Sequence, residues 1–367
     1  IPISKDFAGA IKDRFNEIIS EKSMVFVSLT AYNAALNEGD VFVDHVHSEF
    51  LRRLSLSRDP VEMFYRGEVA YQIVYEMKER GGLLTKFDLA GYEATVERAQ
   101  ETVLPNGFIL KGPPSPSAFF SNQPYSGSND DNRSNVAFDA MYLRELLAAQ
   151  RAGLARLEQI GDPDFMPDNP IVNNLRSHHN ETTGFLNEEA GVTNLMKNLN
   201  DQSQSSVGSH INVIDRDGLA VSLSSSLNSK FGSIRRSPRG GFVWNNGMSA
   251  FNILDDEDAE DEYVNGVAGR KRPRTSMAPF MLFDERGQLV SSFGIIGSVN
   301  SILAAAQVLL NQMLFNKDSV SSIEAPRIFT NSAGVSIETG IPAVSCWHLF
   351  ELRFNAKVDR NQRWQFD

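Results

Sequence analysis

The chain has 367 residues, 35 Lys and Arg against 46 Asp and Glu, a formal net charge of −11 and 41% hydrophobic residues. This suits a globular protein of one large or two ordinary domains and excludes a disordered chain. No stripe of Lys and Arg interrupts the acidic balance, which argues against nucleic acid as a partner, because phosphate binding is driven by clustered cations. The single Cys346 excludes an internal disulfide, a four-cysteine zinc site and a CxxC redox pair.

Residues 1–20 carry Lys5, Asp6, Lys12, Asp13, Arg14 and Glu17 and so do not form the apolar core of a secretory signal. The chain opens on Ile1 rather than Met, and a fragment or a processed form is expected. In Asp44-His45-Val46-His47 the two histidines have the same-face spacing of a metal pair on a strand, but no third ligand follows. They are read as surface polar residues, and no metal or cofactor is expected. Behind Glu68, Val69, Ile73 and Met77 recur at helical spacing, and Gly81-Gly82 stops that helix.

Residues 121–135 are dense in Ser, Asn, Asp and Gly and read as a loop. A long helix is predicted over 136–160, with Phe138, Met141, Leu143, Leu146, Leu147, Leu154 and Leu157 on its apolar face and Gly161-Asp162-Pro163 closing it. Asn132-Arg133-Ser134 and Asn180-Glu181-Thr182 are sequons, the second beside His178-His179, and matter only in a secreted glycoprotein. A second polar stretch, 198–209, marks the main boundary, at which the helical half of the chain ends.

Beyond it the period becomes strand-like. Residues 210–215, the turn Arg216-Asp217-Gly218, and Leu219, Val221 and Leu223 alternating with Ala220, Ser222 and Ser224 predict a hairpin with one buried face. A second hairpin is predicted over 280–293, in the same sheet or a stacked one. The bend Gly294-Ile295-Ile296-Gly297-Ser298 leads into a helix over 302–315 with Asn300 or Ser301 as its cap. Such a bend can hold an anion or a developing oxyanion, although a plain connection explains it as well. That helix is too short to cross a bilayer and contains Gln307, Asn311 and Gln312. The acidic run 255–262 lacks EF-hand spacing, and the basic run 269–274 is read as its neutralising neighbour.

Taken together, several blocks resemble the γ-glutamyltranspeptidase family. They are Phe64-Tyr65-Arg66-Gly67, Gly81-Gly82-Leu83-Leu84-Thr85, Gly161-Asp162-Pro163-Asp164-Phe165, the 209–218 segment, Leu227-Asn228 with Phe231-Gly232, Asn245-Asn246-Gly247-Met248, Lys271-Arg272-Pro273 with Thr275-Ser276, and Ala325-Pro326-Arg327. The resemblance implies an α+β fold, the αββα four-layer sandwich of N-terminal-nucleophile hydrolases. It divides the chain into a large-subunit-like part, 1–207, lacking the family's upstream segment, and a small-subunit-like part, 208–367, interlocked in one structural domain. In that family the precursor cuts itself before a Thr, whose hydroxyl and freed amine then attack a γ-glutamyl amide such as glutathione. It implies an extracellular or membrane-associated extracytoplasmic location.

On the family's pattern, Gly208 stands where the nucleophilic Thr belongs, and glycine has no side chain with which to attack. Ser249-Ala250 replaces the acidic pair that grips the substrate amine, and Gly297-Ser298 replaces the paired glycines of the oxyanion bend. Ser226 stands for the Thr that supports the nucleophile, while Asn228, Thr275 and Ser276 match positions that hold the glutamate. The reading is a family member that stays uncut and inactive, serving as a binding or decoy protein for an unidentified protein partner, with weak binding of glutathione or other γ-glutamyl compounds. The alternative is an active glutathione hydrolase or γ-glutamyl transferase that uses Ser209.

Overall fold

The computed structural model describes residues 1–24, 35–104, 106–119, 140–166, 206–252, 264–331, 334–342, 356–359 and 363–366. Both sequons, His178-His179, the acidic run and Cys346 lie outside them. The chain divides into two compact units, Ile1–Val96 with Leu227–Asn246, and Glu97–Ser226 with Gly247–Asp367. Each unit draws on both sides of residue 208.

The first unit carries α1 (Lys5–Asp13), α2 (Phe15–Ser20), α3 (His45–Leu56), α4 (Pro60–Tyr65), α5 (Glu68–Lys78) and α6 (Lys86–Ala90). Side chains that accept from backbone N–H groups start several of them: Ser4, Asp44, Asp59 before Pro60, and a reciprocal capping box between Thr85 and Asp88. Val69 and Ile73 of α5 are buried with Phe50 of α3, against Phe242 and Trp244. Gly81 takes a φ of +78°, which suits the glycine stop after α5. The histidines of 44–47 start α3 rather than a strand. Asp44 accepts from the His47 N–H, and residues two apart on a helix do not share a face.

The second unit carries β1 (Gln100–Val103), β2 (Ile109–Gly112), α7 (Ala140–Gln159), β3 (Ser206–Ile214), β4 (Ala220–Ser229, crossing into the first unit), β5 (Phe280–Phe283), β6 (Leu289–Phe293), α8 (Val299–Phe315), α9 (Ser319–Glu324), β7 (Ile328–Asn331), β8 (Gly334–Glu338), β9 (Ala356–Asp359) and β10 (Arg363–Phe366). The sheets run β1-β2-β5-β6 and β7-β8-β10-β9, with β3-β4 a separate hairpin, so the two predicted hairpins lie in different sheets. The register pairs Phe280 with Phe293 and Met281 with Ser292, which sends these pairs to opposite faces. Phe280, Leu282 and Phe293 pack against Ala305, Leu309 and Met313 of α8. Each large apolar side chain buried in this way contributes about 1.5–3 kcal/mol. On the other face the Ser292 hydroxyl donates to Asn212 of β3 at 2.6 Å. Helix, sheet and hairpin are thus stacked in that order.

The second sheet rests Ile328, Val335 and Ile337 on Leu143, Leu146 and Leu147 of α7 and Leu310 of α8. Gln150 and Gln307, both buried, bond the backbone of β7 through amide oxygen and nitrogen alike. The polar residue in the apolar run of α8 is therefore an inward strap. That helix starts earlier than expected: Ser298 is its cap, because Ser301 turns its N–H and hydroxyl back onto the Ser298 carbonyl.

The β3-β4 hairpin corrects the expected burial. Its apolar residues point outward, with Ile211 56%, Val213 55%, Val221 51% and Leu223 56% exposed. The half-buried face carries His210, Ser222, Ser224 and Ser226. Hydrogen bonding to the backbone of β6 has taken the place of apolar burial on that face.

Candidate functional site

The inward side chains of β3 and β4 form three rungs above β6 and the bend that succeeds it. At the first rung stands Gly208, inside a continuous strand and not in an irregular connection. A Cβ built on Gly208 would lie 2.7 Å from the Ser225 carbonyl oxygen and 3.3 Å from Ile296 Cγ2. The position therefore has no room for a side chain without a shift of the neighbouring backbone. The Ser226 hydroxyl donates to the Val207 carbonyl, the group a self-cleaving neighbour would attack. Ser209 is exposed, on the face turned away from Ile296.

At the second rung His210 Nδ1 lies 3.0 Å from Ser224 Oγ, and its Nε2 lies 3.0 Å from Asn212 Oδ1. The imidazole covers Gly294 so closely that a Cβ there would fall 1.8 Å from Nδ1, which explains the glycine. At the third rung Asn212 Nδ2 donates to the Ser292 carbonyl at 3.2 Å, and Ser222 Oγ donates to the Phe293 carbonyl at 2.8 Å. The sequence reading misses this polar seam. Its signal is present in the even-numbered series His210, Asn212, Ser222, Ser224 and Ser226, which share one face by strand period.

Of the other expected site residues, Gly297 takes a φ of +123°, open to glycine alone, and its carbonyl accepts from the Ser276 hydroxyl. Thr275 is joined to the 113–118 segment, its N–H donating to Pro116 and its carbonyl accepting from Ala118, while its hydroxyl accepts from the Met277 N–H. Ser298 serves as the helix cap. Ser249-Ala250 belongs to a short 3-10 turn, with Ser249 exposed and the Ala250 carbonyl held by Asn265 at 2.8 Å. Asn228 belongs to the first unit, takes a left-handed φ of 72°, and donates to the Asn246 carbonyl at 3.3 Å. Among the described residues no group of His, Cys, Asp and Glu converges as a metal site would require.

A second polar centre joins two of the sequence blocks. Asp162, 1% exposed, accepts from the Arg272 backbone N–H at 2.7 Å and from its guanidinium at 2.8 and 3.2 Å, while Arg272 also reaches Glu97 at 2.9 Å. Burial pushes the Asp162 carboxyl up, but the hydrogen bonds from Arg272 and the Asp164 N–H outweigh it and hold the group below its ordinary range. The same bond to Asp162 raises the Arg272 guanidinium. Within the basic run Arg272 is anchored by Asp162 and Glu97, while the 255–262 run, its expected neutralising neighbour, lies outside the described residues.

The fold class is α+β, of the N-terminal-nucleophile hydrolase kind. Cephalosporin acylase from Bacillus halodurans matches it with a TM-score of 0.73 over 96% of this chain and 64% of that one, at 20% identity. Residues 1–356 match the Gamma-glutamyltranspeptidase family, and the chain belongs to that family. Glutathione hydrolase 2 of Arabidopsis thaliana is 28% identical over 286 residues, covering 72% of this chain and 48% of the relative. The glutathione hydrolase proenzyme of Escherichia coli is 28% identical over 305 residues, covering 80% and 51%. Glutathione hydrolase 4 of Arabidopsis thaliana, named as a suspected inactive member, is 30% identical over 183 residues, covering 46% and 93%. The chain spans about half the length of the first two relatives.

Proposed function

We propose that this family member remains a single uncut chain, does not carry out γ-glutamyl transfer, and acts through its surface as a binding or decoy protein. One observation carries the reading: Gly208 offers no hydroxyl, and the Ser225 carbonyl and Ile296 occupy the space a side chain would need. The glutamate-holding positions support it, since Ser276 is engaged by Gly297 and Ser249-Ala250 supplies no carboxylate. A buried substrate ammonium without its carboxylate partner binds poorly.

On this reading glutathione binds weakly at best, the partner is a protein, and the protein works outside the cytoplasm. The test is the intact mass of the purified protein together with turnover of a chromogenic γ-glutamyl anilide. One undivided polypeptide without turnover is expected. A preparation that splits between Val207 and Gly208 and releases the chromophore overturns the proposal.

A further inference from the structure

We propose that Ser224 is a base-activated nucleophile for carboxylic esters, with His210 as its general base and Asn212 as the residue that fixes the base's tautomer. The second rung carries this chemistry whatever the fate of Gly208, so it stands apart from the uncut-chain reading.

The proton positions follow from the partners. Asn212 Nδ2 faces the Ser292 carbonyl, which only accepts, so the amide orientation is set and Oδ1 is the acceptor end. That oxygen receives the Ser292 hydroxyl at 2.6 Å and faces His210 Nε2 at 3.0 Å, so Nε2 carries the proton. Nδ1 is left with its lone pair directed at Ser224 Oγ, 3.0 Å away. A hydroxyl, an unprotonated imidazole nitrogen and a third group that orients the ring are the parts an activated serine requires. Gly294 lets the ring lie flat against the bend, since any side chain there would displace it. Ser224 and His210 are half-buried and Asn212 is exposed.

In the reaction the Ser224 hydroxyl adds to the ester carbonyl carbon as its proton passes to His210 Nδ1. The carbon–oxygen bond to the alcohol then breaks, and the alcohol leaves with that proton. Water attacks the acyl-serine, giving its proton to the same nitrogen and through it to Ser224 Oγ, and the carboxylic acid departs. Asn212 Oδ1 holds the Nε2–H while the ring is a cation. The surrounding side chains, Ser222, Ser226 and Ser292, are small and neutral, which selects short uncharged acyl groups over γ-glutamyl ones.

The experiment treats the purified protein with a fluorophosphonate probe and locates the adduct by peptide mass spectrometry. Modification of Ser224 is expected in the folded protein, absent after unfolding in urea, lost in Ser224→Ala and unchanged in Ser225→Ala, whose side chain lies on the other face. His210→Gln should slow it by about a hundredfold or more. Ser224→Cys, which keeps the ring and the fold, should be alkylated by iodoacetamide, and adding His210→Gln should slow that too. No adduct at Ser224, or equal rates with and without His210, would overturn the assignment and leave the seam a purely structural bond between layers.

Discussion

At Asp162 two sequence blocks meet, and every charged group has its counterpart: the carboxylate is nearly sealed from water and takes three hydrogen bonds from one arginine. At Gly208, within the same unit, there is no side chain, and neighbouring atoms occupy the place one would take. The difference separates two kinds of residue that a family resemblance mixes together. Groups that join elements keep their partners because the fold fails without them, whereas a nucleophile is required only by its reaction. On the proposed reading, this chain holds its family's fold without the family's reaction.

Removing the guanidinium in Arg272→Ala is the largest test of that contrast. It strips the buried Asp162 carboxylate of its charged partner and leaves it only the backbone N–H groups of residues 272 and 164, so the loss of stability should be about 3 kcal/mol by chemical denaturation. A loss under about 1 kcal/mol, the range of an exposed pair, would show that the joint is ornamental and erase the distinction. Restoring a side chain at the other region should do less. Gly208→Thr forces a Cβ against the Ser225 carbonyl, so a destabilisation of about 2–3 kcal/mol is expected, with the chain still uncut by mass. If that variant divided itself at normal stability, the site would be a single lost hydroxyl in an intact pocket.

A smaller effect is expected at the neighbouring rung. In Gly294→Ala the new methyl meets the His210 ring, but an imidazole can swing outward where a carbonyl cannot. We expect about 1–2 kcal/mol in thermal unfolding, with a change in the His210 ring signals by NMR. An unmoved ring would mean the close approach does not fix its orientation.

Legibility in the sequence obeys the same division. The helices over 68–78 and 140–159 and both hairpins are legible, because their apolar periods and glycine or Asp-Gly stops act locally. The blocks at 161–165 and 271–273 signal the family, but nothing local says that Asp162 meets Arg272 across 110 residues. The hairpin's inner face is misleading for a related reason. Val221 and Leu223 look buried by composition, yet β6 offers backbone carbonyls to that face, and serines satisfy carbonyls better than leucines do. The His45-His47 spacing fails because the Asp44 cap, a nonperiodic signal, turns the segment into a helix.

The least effect belongs to an ion pair in the first unit that resembles the Asp162 joint but is wetter. Glu21 accepts from the Arg80 guanidinium at 3.2 and 3.3 Å and from Ser23, and the Arg80 bond, opposed by partial burial, brings its carboxyl down to about 2 from an ordinary 4.5. Because the folded state holds the proton more weakly than the unfolded one, the pair's contribution is complete above pH 4.5 and is lost as pH falls toward 2. Both side chains are partly exposed, 22% for Glu21 and 34% for Arg80, so solvent screening limits that contribution to about 1 kcal/mol. Glu21→Gln should therefore cost about 1 kcal/mol at pH 7 and converge on the parent protein as pH falls toward 2, which flattens the acid limb of stability measured by urea unfolding. An equal loss at neutral and acidic pH would place the residue's worth in packing instead. The pair would then resemble the Asp162 joint in position only.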